Sequence, residues 1–298
     1  MNLPLEFCKK AAYNGGRSII NFVDPNKEVI KETDIVGHHA IVSGADYKSQ
    51  DAILRLLEKD RGSFFLTEEI VQDEKLKERI ITLDRLKDLE SSQVYIIDEL
   101  DGSSSHKAGH YEWSISVGYV KRLEHLAGAV YAPKIGRGLL FSASNGEGTF
   151  LQEGDEIRKT KVTDHTLADK NAYVIFGVDC FLSKYPKHNE LVTKVSDKAR
   201  TTNSNGSCAL PLGLIGAGIV DALIQPLQCP WDWAAGKVLV EEAGGKMLFY
   251  EMENGGEIIP IKRLRTEHYN PVERKVGFIA GNEKITQEIM NILLDIKK

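Results

Sequence analysis

The chain has 298 residues, of which 42% are hydrophobic and 27% charged, a composition that supports a large core in one big domain or two fused ones. Its net charge of −5, with no long basic runs, excludes a nucleic-acid footprint, and its apolar runs are too short and interrupted to span a bilayer. The opening MNLPLEFCKKAAYNGG does not read as a secretory leader, and the scattered Cys8, Cys180, Cys208 and Cys229 form no CxxC pair, so reduced thiols and a cytoplasmic location are expected.

In chain order, Leu5, Cys8, Ala12, Ile19 and Val23 mark the buried side of a first helix reaching about Val23. Ile53, Leu56 and Leu57 predict a second helix over 49–59. The runs 63–66 and 94–97 read as buried strands, each leading directly into acidic residues. Large and small residues alternate over 113–120, and the segment 126–131 can pair with it; with 139–143 and 148–151 these predict an antiparallel sheet. A polar segment over 153–170 suggests a soft boundary near residue 155, dividing an N-terminal α+β half (1–155) from a C-terminal α/β half (156–298). Beyond it come a strand at 172–176, helices at 191–198 and 209–218, and a strand at 222–225. Asp232 is expected to cap a helix that stops at Gly244-Gly245, and Asn282 precedes a last helix striped by Ile285, Ile289, Ile292 and Ile296. This alternation favours a layered α/β arrangement.

Three acidic clusters stand at the ends of apolar segments. In VYIIDELDGSSS, Asp98 and Asp101 flank one tight turn and can point at the same spot; Gly102 permits a conformation closed to other residues, and the serines can open a helix whose free N–H groups suit a phosphate. Alone, DxxDG is equally a capped turn, and the acidic spacing does not fit an EF-hand loop. In FFLTEEI the pair Glu68-Glu69 alone reads as a solvated charge pair, and in CPWDWAAGKVLVEEAGG Asp232 sits between two tryptophans. If the three converge, each like-charge pair at a few ångströms costs roughly 4 kcal/mol at an effective dielectric of 20. Divalent cations would relieve that repulsion, and oxygen-only ligands favour magnesium, manganese or calcium over zinc.

These motifs together resemble the inositol monophosphatase family, part of the lithium-sensitive magnesium phosphatase superfamily with fructose-1,6-bisphosphatase and the 3′(2′),5′-bisphosphate nucleotidases. The resemblance is carried by TEE at 67–69, IIDELDGSS at 96–104 and PWDWAAGKVLVEEAGG at 230–245, with support from SGADYKSQ at 43–50 and NGSCA at 205–209. It implies a layered αβαβα sandwich and hydrolysis of a small phosphate monoester, such as an inositol monophosphate or fructose 1,6-bisphosphate, by direct attack of water. It further implies two or three Mg2+ ions, with Mn2+ as a substitute, on Glu68, Asp98, Asp101, Asp232 and the Leu100 carbonyl. Ser103, polarised by Asp46, would orient the attacking water, with Glu68 on the water side. The backbone of Gly102 and Ser103, with Ser104, would cradle the phosphate, while Gly206, Ser207 and Gln225 would meet the rest of the substrate. A homodimer and lithium inhibition are implied in the same way.

The chain departs from the family at Ser105 and His106, where Asn-Phe is common, and at Gln225, where inositol-specific members have glutamate; the first leaves the substrate's identity open and the second weakens an assignment to myo-inositol phosphate. A bisphosphate nucleotidase is the alternative among enzymes, and a non-catalytic magnesium-binding protein of the same fold is the alternative outside them. The adjacent His38 and His39 point to opposite sides of an extended segment and make a poor metal pair, whereas His106 or His110 could close the pocket. Gly213, Gly216 and Gly218 read as a closely packed helix, because GxGxxG fails at Asp221.

Overall fold

The computed structural model describes residues 2–22, 29–30, 41–177, 186–252, 257–273 and 276–296. Helix α1 (Leu3–Ile19) starts at Asn2, whose side chain accepts the Leu5 N–H at 3.4 Å. Its buried face is Leu5, Cys8, Ala11, Ala12, Gly15, Gly16 and Ile19. The helix ends at Ile19, and the expected last position, Val23, lies outside the described residues, as do Cys180 and the His38-His39 pair. A two-stranded pair, β1 (Val29–Ile30) and β2 (Ile41–Val42), precedes helix α2 (Gly44–Leu57). Helix α2 begins earlier than periodicity predicts, because Ser43 and Asp46 form a reciprocal capping box around its start. Small residues let α1 and α2 lie close: a Cβ added to Gly15 would stand 2.7 Å from the Ser49 hydroxyl.

Seven strands follow in sequential order: β3 (Ser63–Thr67), β4 (Gln93–Asp101), β5 (Ser114–Lys121), β6 (Glu124–Ala132), β7 (Leu139–Ser144), β8 (Gly148–Glu153) and β9 (Glu156–Thr160). Neighbours are antiparallel except β3 and β4, which are parallel. Two 3-10 helices (Glu74–Arg79 and Leu83–Glu90) make the crossover between that parallel pair. A short helix, α3 (Ser103–Lys107), leaves the end of β4. Residue 155 lies in the turn joining β8 to β9.

The alternation along β5 is large against small rather than apolar against solvent, since every residue but Lys121 is buried. Ile115, Val117 and Tyr119 join the cluster that includes α1, while Ser116 and Gly118 face a helix on the other side. That helix is α6, introduced below.

The rest of the chain builds a six-stranded mixed sheet of β10 (Tyr173–Phe176), β11 (Thr201–Asn203), β12 (Ala222–Gln228), β13 (Lys246–Met252), β14 (Ile258–Ile261) and β15 (Val276–Gly281), in the order β11-β10-β12-β15-β13-β14. Four helices accompany it: α4 (Pro186–Ser196), α5 (Ala209–Gly216), α6 (Pro230–Glu242) and α7 (Glu283–Asp295). Helices α5 and α6 are sandwiched between the two sheets, α1 and α2 cover the outer face of the first, and α4 and α7 cover the outer face of the second. The chain is thus the layered αβαβα sandwich expected from the motifs. Helix α5 is glycine-rich for packing: a Cβ on Gly213 would meet the Phe141 ring at 2.6 Å, and one on Gly216 the Leu239 carbonyl at 2.9 Å.

Candidate functional site

The site forms where strand ends meet helix starts. Because β3 and β4 are parallel, their C-terminal ends lie side by side: Thr67 pairs with Ile97, and the Glu68 N–H donates to the Ile97 carbonyl at 3.3 Å. Glu68 therefore arrives next to Asp98, and one carboxylate oxygen each from Glu68, Asp98 and Glu99 lies within 4.8 Å of the other two.

The sequence suggested a tight turn between Asp98 and Asp101. Instead β4 runs on through Asp101 and carries a bulge: Asp98 sits opposite Ser116 and Asp101 opposite Ser114, so three steps on one strand match two on its neighbour. In a regular strand, side chains three apart emerge on opposite faces; the extra residue returns Asp101 to the face of Asp98. Gly102 then turns the chain into α3 with φ +88°, a left-handed conformation that glycine adopts without strain. A Cβ there would also press on the Glu112 carbonyl at 3.1 Å.

The Ser103 hydroxyl lies 3.0 Å from Asp46 Oδ1 and 2.9 Å from the Leu100 carbonyl. The other oxygen of Asp46 accepts the Ser43 N–H at 2.8 Å and the Ser43 hydroxyl at 2.6 Å, so the start of α2 fixes the carboxylate that faces Ser103. Asp101 is held from a different direction. Its Oδ1 accepts the Cys208 N–H at 2.7 Å, and its Oδ2 accepts the N–H groups of Ala209 (3.0 Å) and Leu210 (3.2 Å), the Ser114 hydroxyl (2.7 Å) and the Ser207 hydroxyl. It thereby caps α5 from the opposite sheet, where a negative charge suits the helix start.

Asp232 is not the N-cap that the sequence suggested. Helix α6 starts two residues earlier, at Pro230, with Cys229 as its N-cap; Asp232 is the third helical residue and its Oδ2 accepts the Cys229 N–H at 2.7 Å. Proline is well suited to that first position, which the sequence reading overlooked. Of the flanking tryptophans, Trp231 is buried with its carbonyl accepting the Ser116 hydroxyl at 3.3 Å, and Trp233 packs among Phe249, Tyr269 and His125.

The electrostatics register the convergence. Burial drives the Asp98 carboxyl well above the usual carboxylate range, and the charges of Glu68, Asp101, Asp232 and Glu99 push it further in the same direction. Burial raises Asp101 too, against the pull of the hydrogen bonds from Ser207, Cys208, Ser114 and Leu210. Such a set of enclosed oxygens with too much negative charge fits hard divalent cations.

Gly206, with φ +70°, approaches Gly102, whose added Cβ would stand 3.4 Å from the Gly206 carbonyl; Ser207 is buried and Ser104 exposed. Gln225 is buried on β12, where its Oε1 accepts from the Gln228 side chain at 3.1 Å and it lies over the backbone of Gly177. None of its described contacts is with the carboxylate cluster. Ser105 donates to the Asn205 carbonyl at 3.2 Å, tying α3 to the segment before α5. His106 meets the edge of Trp113 at 4.9 Å, its pKa lowered chiefly by burial, and His110 is exposed.

Glu99 was missed. It is 1% exposed, and burial followed by the charge of Glu68 raises its pKa well above the ordinary value, with the Gln50 hydrogen bond opposing. No local signal marks it: an acidic residue between Asp98 and Leu100 is cut off from bulk water only because β4 is flanked by β3 and β5 and buried along its length.

A five-layer sandwich with buried carboxylates at the end of its first sheet, beside a hydroxyl–carboxylate pair, defines the class. The sequence model of the inositol monophosphatase family matches residues 5–296, and the chain belongs to that family. It is 30% identical over 246 residues to the fructose-1,6-bisphosphatase/inositol-1-monophosphatase of Aquifex aeolicus, covering 81% of this chain and 83% of that protein. It is also 29% identical over 203 residues to the Nus factor SuhB of Xylella fastidiosa, covering 67% of each. Its fold is similar to the solved structure of inositol monophosphatase from Anabaena (Nostoc) sp. PCC 7120, with a TM-score of 0.72 at 20% identity over 100% of this chain and 98% of that one.

Proposed function

We propose that the protein is a magnesium-dependent phosphatase that hydrolyses a small phosphate monoester by direct attack of water. The observation that carries this reading is the Ser103–Asp46 hydrogen bond placed one strand end away from the crowded Asp98 carboxyl. Two or three Mg2+ ions, or Mn2+ in their place, held by Glu68, Asp98, Asp101, Asp232 and the Leu100 carbonyl, would neutralise the phosphate and lower the pKa of the attacking water.

The protein's own groups do the rest. The single hydroxyl proton of Ser103 goes to the charged acceptor, Asp46, in preference to the neutral Leu100 carbonyl. That leaves the Ser103 oxygen lone pairs to accept from the attacking water and fix its direction, and it frees the Leu100 carbonyl. The first N–H groups at the start of α3, on Gly102 and Ser103, have no acceptor within the helix and suit phosphate oxygens, with the Ser104 hydroxyl beside them. Gly206, Ser207 and Gln225 are assigned to the non-phosphate part of the substrate. Gln225 is a neutral amide where inositol-specific members have glutamate, which lowers the case for myo-inositol monophosphate. A homodimer, lithium sensitivity and a cytoplasmic location belong to the same proposal.

The test is phosphate release from a panel containing inositol monophosphate, fructose 1,6-bisphosphate and 3′-phosphoadenosine compounds, with and without Mg2+ and Li+. Turnover that requires Mg2+ on a sugar or polyol ester supports the reading. Turnover confined to the adenosine compounds would make the protein a bisphosphate nucleotidase, and Mg2+ binding with no turnover would make it a non-catalytic member of the family.

A further inference from the structure

Glu99 is a carboxylate that the folded chain has enclosed without completing its bonds. One oxygen, Oε1, accepts from Gln50 Nε2 at 2.8 Å. The other, Oε2, is fully buried and has no hydrogen-bond partner among the described residues. Burying a carboxylate oxygen with nothing opposite it is strongly unfavourable, and the usual resolution is a counter-charge or a metal. Among the described residues no Lys or Arg is paired with it, and the charges that act on it most strongly, Glu68 and then Glu69, are acidic. An oxygen of Glu99 is also within 4.8 Å of oxygens from both Glu68 and Asp98, close enough for the three to share one ion.

The side chain is also held in place. Gln50 comes from the second turn of α2, and its amide nitrogen donates both to Glu99 Oε1 and to the Glu69 carbonyl at 2.9 Å. One amide therefore fixes Glu99 relative to the segment that carries Glu68. An amide that fixes one carboxylate oxygen and leaves the other open is the arrangement by which outer residues orient a metal ligand.

We propose that Glu99 is a direct ligand of the divalent cation bound by Glu68 and Asp98, positioned by Gln50. This rests on the metal-dependent reading above and adds to it a residue of this chain. A third carboxylate takes a coordination place that water would otherwise fill. Mg2+ gives up its water reluctantly, so the added ligand favours Mn2+ over Mg2+ at this site.

The test is direct binding on the metal-free, full-length protein. Free Mn2+ is followed by electron paramagnetic resonance, and Mg2+ by titration calorimetry, for wild type, Glu99→Gln and Gln50→Ala. Glu99→Gln should bind Mn2+ at least about tenfold more weakly and lose less affinity for Mg2+; Gln50→Ala should fall between it and wild type, as loss of an orienting residue does. Circular dichroism confirms folding, and Glu99→Asp, which keeps the charge but shortens the reach, replaces Glu99→Gln if that variant does not fold. A Mn2+ curve for Glu99→Gln (or Glu99→Asp) that overlays wild type overturns the proposal while leaving the phosphatase reading intact. Equal losses for both cations overturn the Mn2+ preference. A wild-type protein that binds neither cation overturns both the proposal and the reading beneath it.

Discussion

Ser103 and Asp46 are 57 residues apart in the chain yet share a hydrogen bond, and each has a second duty. Asp46 closes the start of α2, whereas Ser103 opens α3. Ser103→Ala should reduce kcat by roughly a hundredfold with little change in KM, as for loss of a group that aligns the attacking water. Asp46→Asn should do the same and also lower stability by about 1 kcal/mol through the weakened cap. Combining the two should cost little beyond the worse single change, since they act as a unit; steady-state kinetics on all three variants decides this. Asp101 makes a separate prediction. Asp101→Asn replaces a charged acceptor of five donors by an amide that must turn its own N–H groups toward some of them, so it should destabilise the fold by about 2 kcal/mol in urea unfolding, besides any loss of activity. The sequence made Glu68 and Asp98 conspicuous because each ends an apolar run, and Asp101 because it follows three residues later, directly before Gly102. It hid Glu99 because an acidic residue beside two others reads as surface charge until the strand's second face is known to be covered.

At the scale of elements, the site depends on a parallel strand pair, a bulge and one helix. Strand and helix periodicity was readable over most of the first sheet and for α1 and α7, because large side chains recur on the faces that meet other layers, whereas α6, buried between the two sheets, was readable only from its ends. The bulge in β4 was not readable, since it follows from the register with β5, a contact made only in the sheet. The start of α6 was misread because Asp is a good cap, whereas here Pro230 fixes the first helical position and Asp232 caps from inside. Helix α6 reaches the sheet only because glycines let it: a Cβ on Gly128 would stand 2.6 Å from the Ala235 carbonyl, and one on Gly118 2.9 Å from the Ala235 nitrogen. Both are backbone atoms that cannot step aside as a side-chain tip can. Gly128→Ala should therefore push α6 outward, destabilising the protein by about 1–3 kcal/mol and weakening metal binding through Asp232. Thermal unfolding with and without Mn2+ reads both effects, and an unchanged melting temperature would show that the layer spacing is not set there.

Across the whole molecule, five layers bury groups that ordinarily titrate, and this makes stability depend on pH in a definite direction. Burial lowers His125 to about 3, with the charge of Lys237 adding to the effect, and lowers His188 to about 4. Both remain neutral in the folded chain while the unfolded chain takes up protons near pH 6.5. The unfolded state then binds more protons, so their contribution is complete above pH 6.5 and is lost as pH falls toward 4. His188 should account for about 2 kcal/mol of lost stability by pH 5. Urea unfolding of wild type and His188→Gln at pH 7.5 and 5 isolates that share: wild type should lose about 2 kcal/mol more than the variant. Equal losses would mean that His188 is not enclosed as the fold has it. The layered class was legible in the sequence from alternating elements and motifs, while the second sheet's strand order was not, because β10, β12 and β15 pair across long separations that local patterns do not record. All these layers converge on one site, and Asp98 is its most crowded group. Phosphate release from the ester panel should therefore be measured for wild type and Asp98→Asn across a Mg2+ titration. Wild type should show Mg2+-dependent turnover and the variant a loss of several orders of magnitude; near-normal turnover by Asp98→Asn would overturn the proposed metal-dependent chemistry.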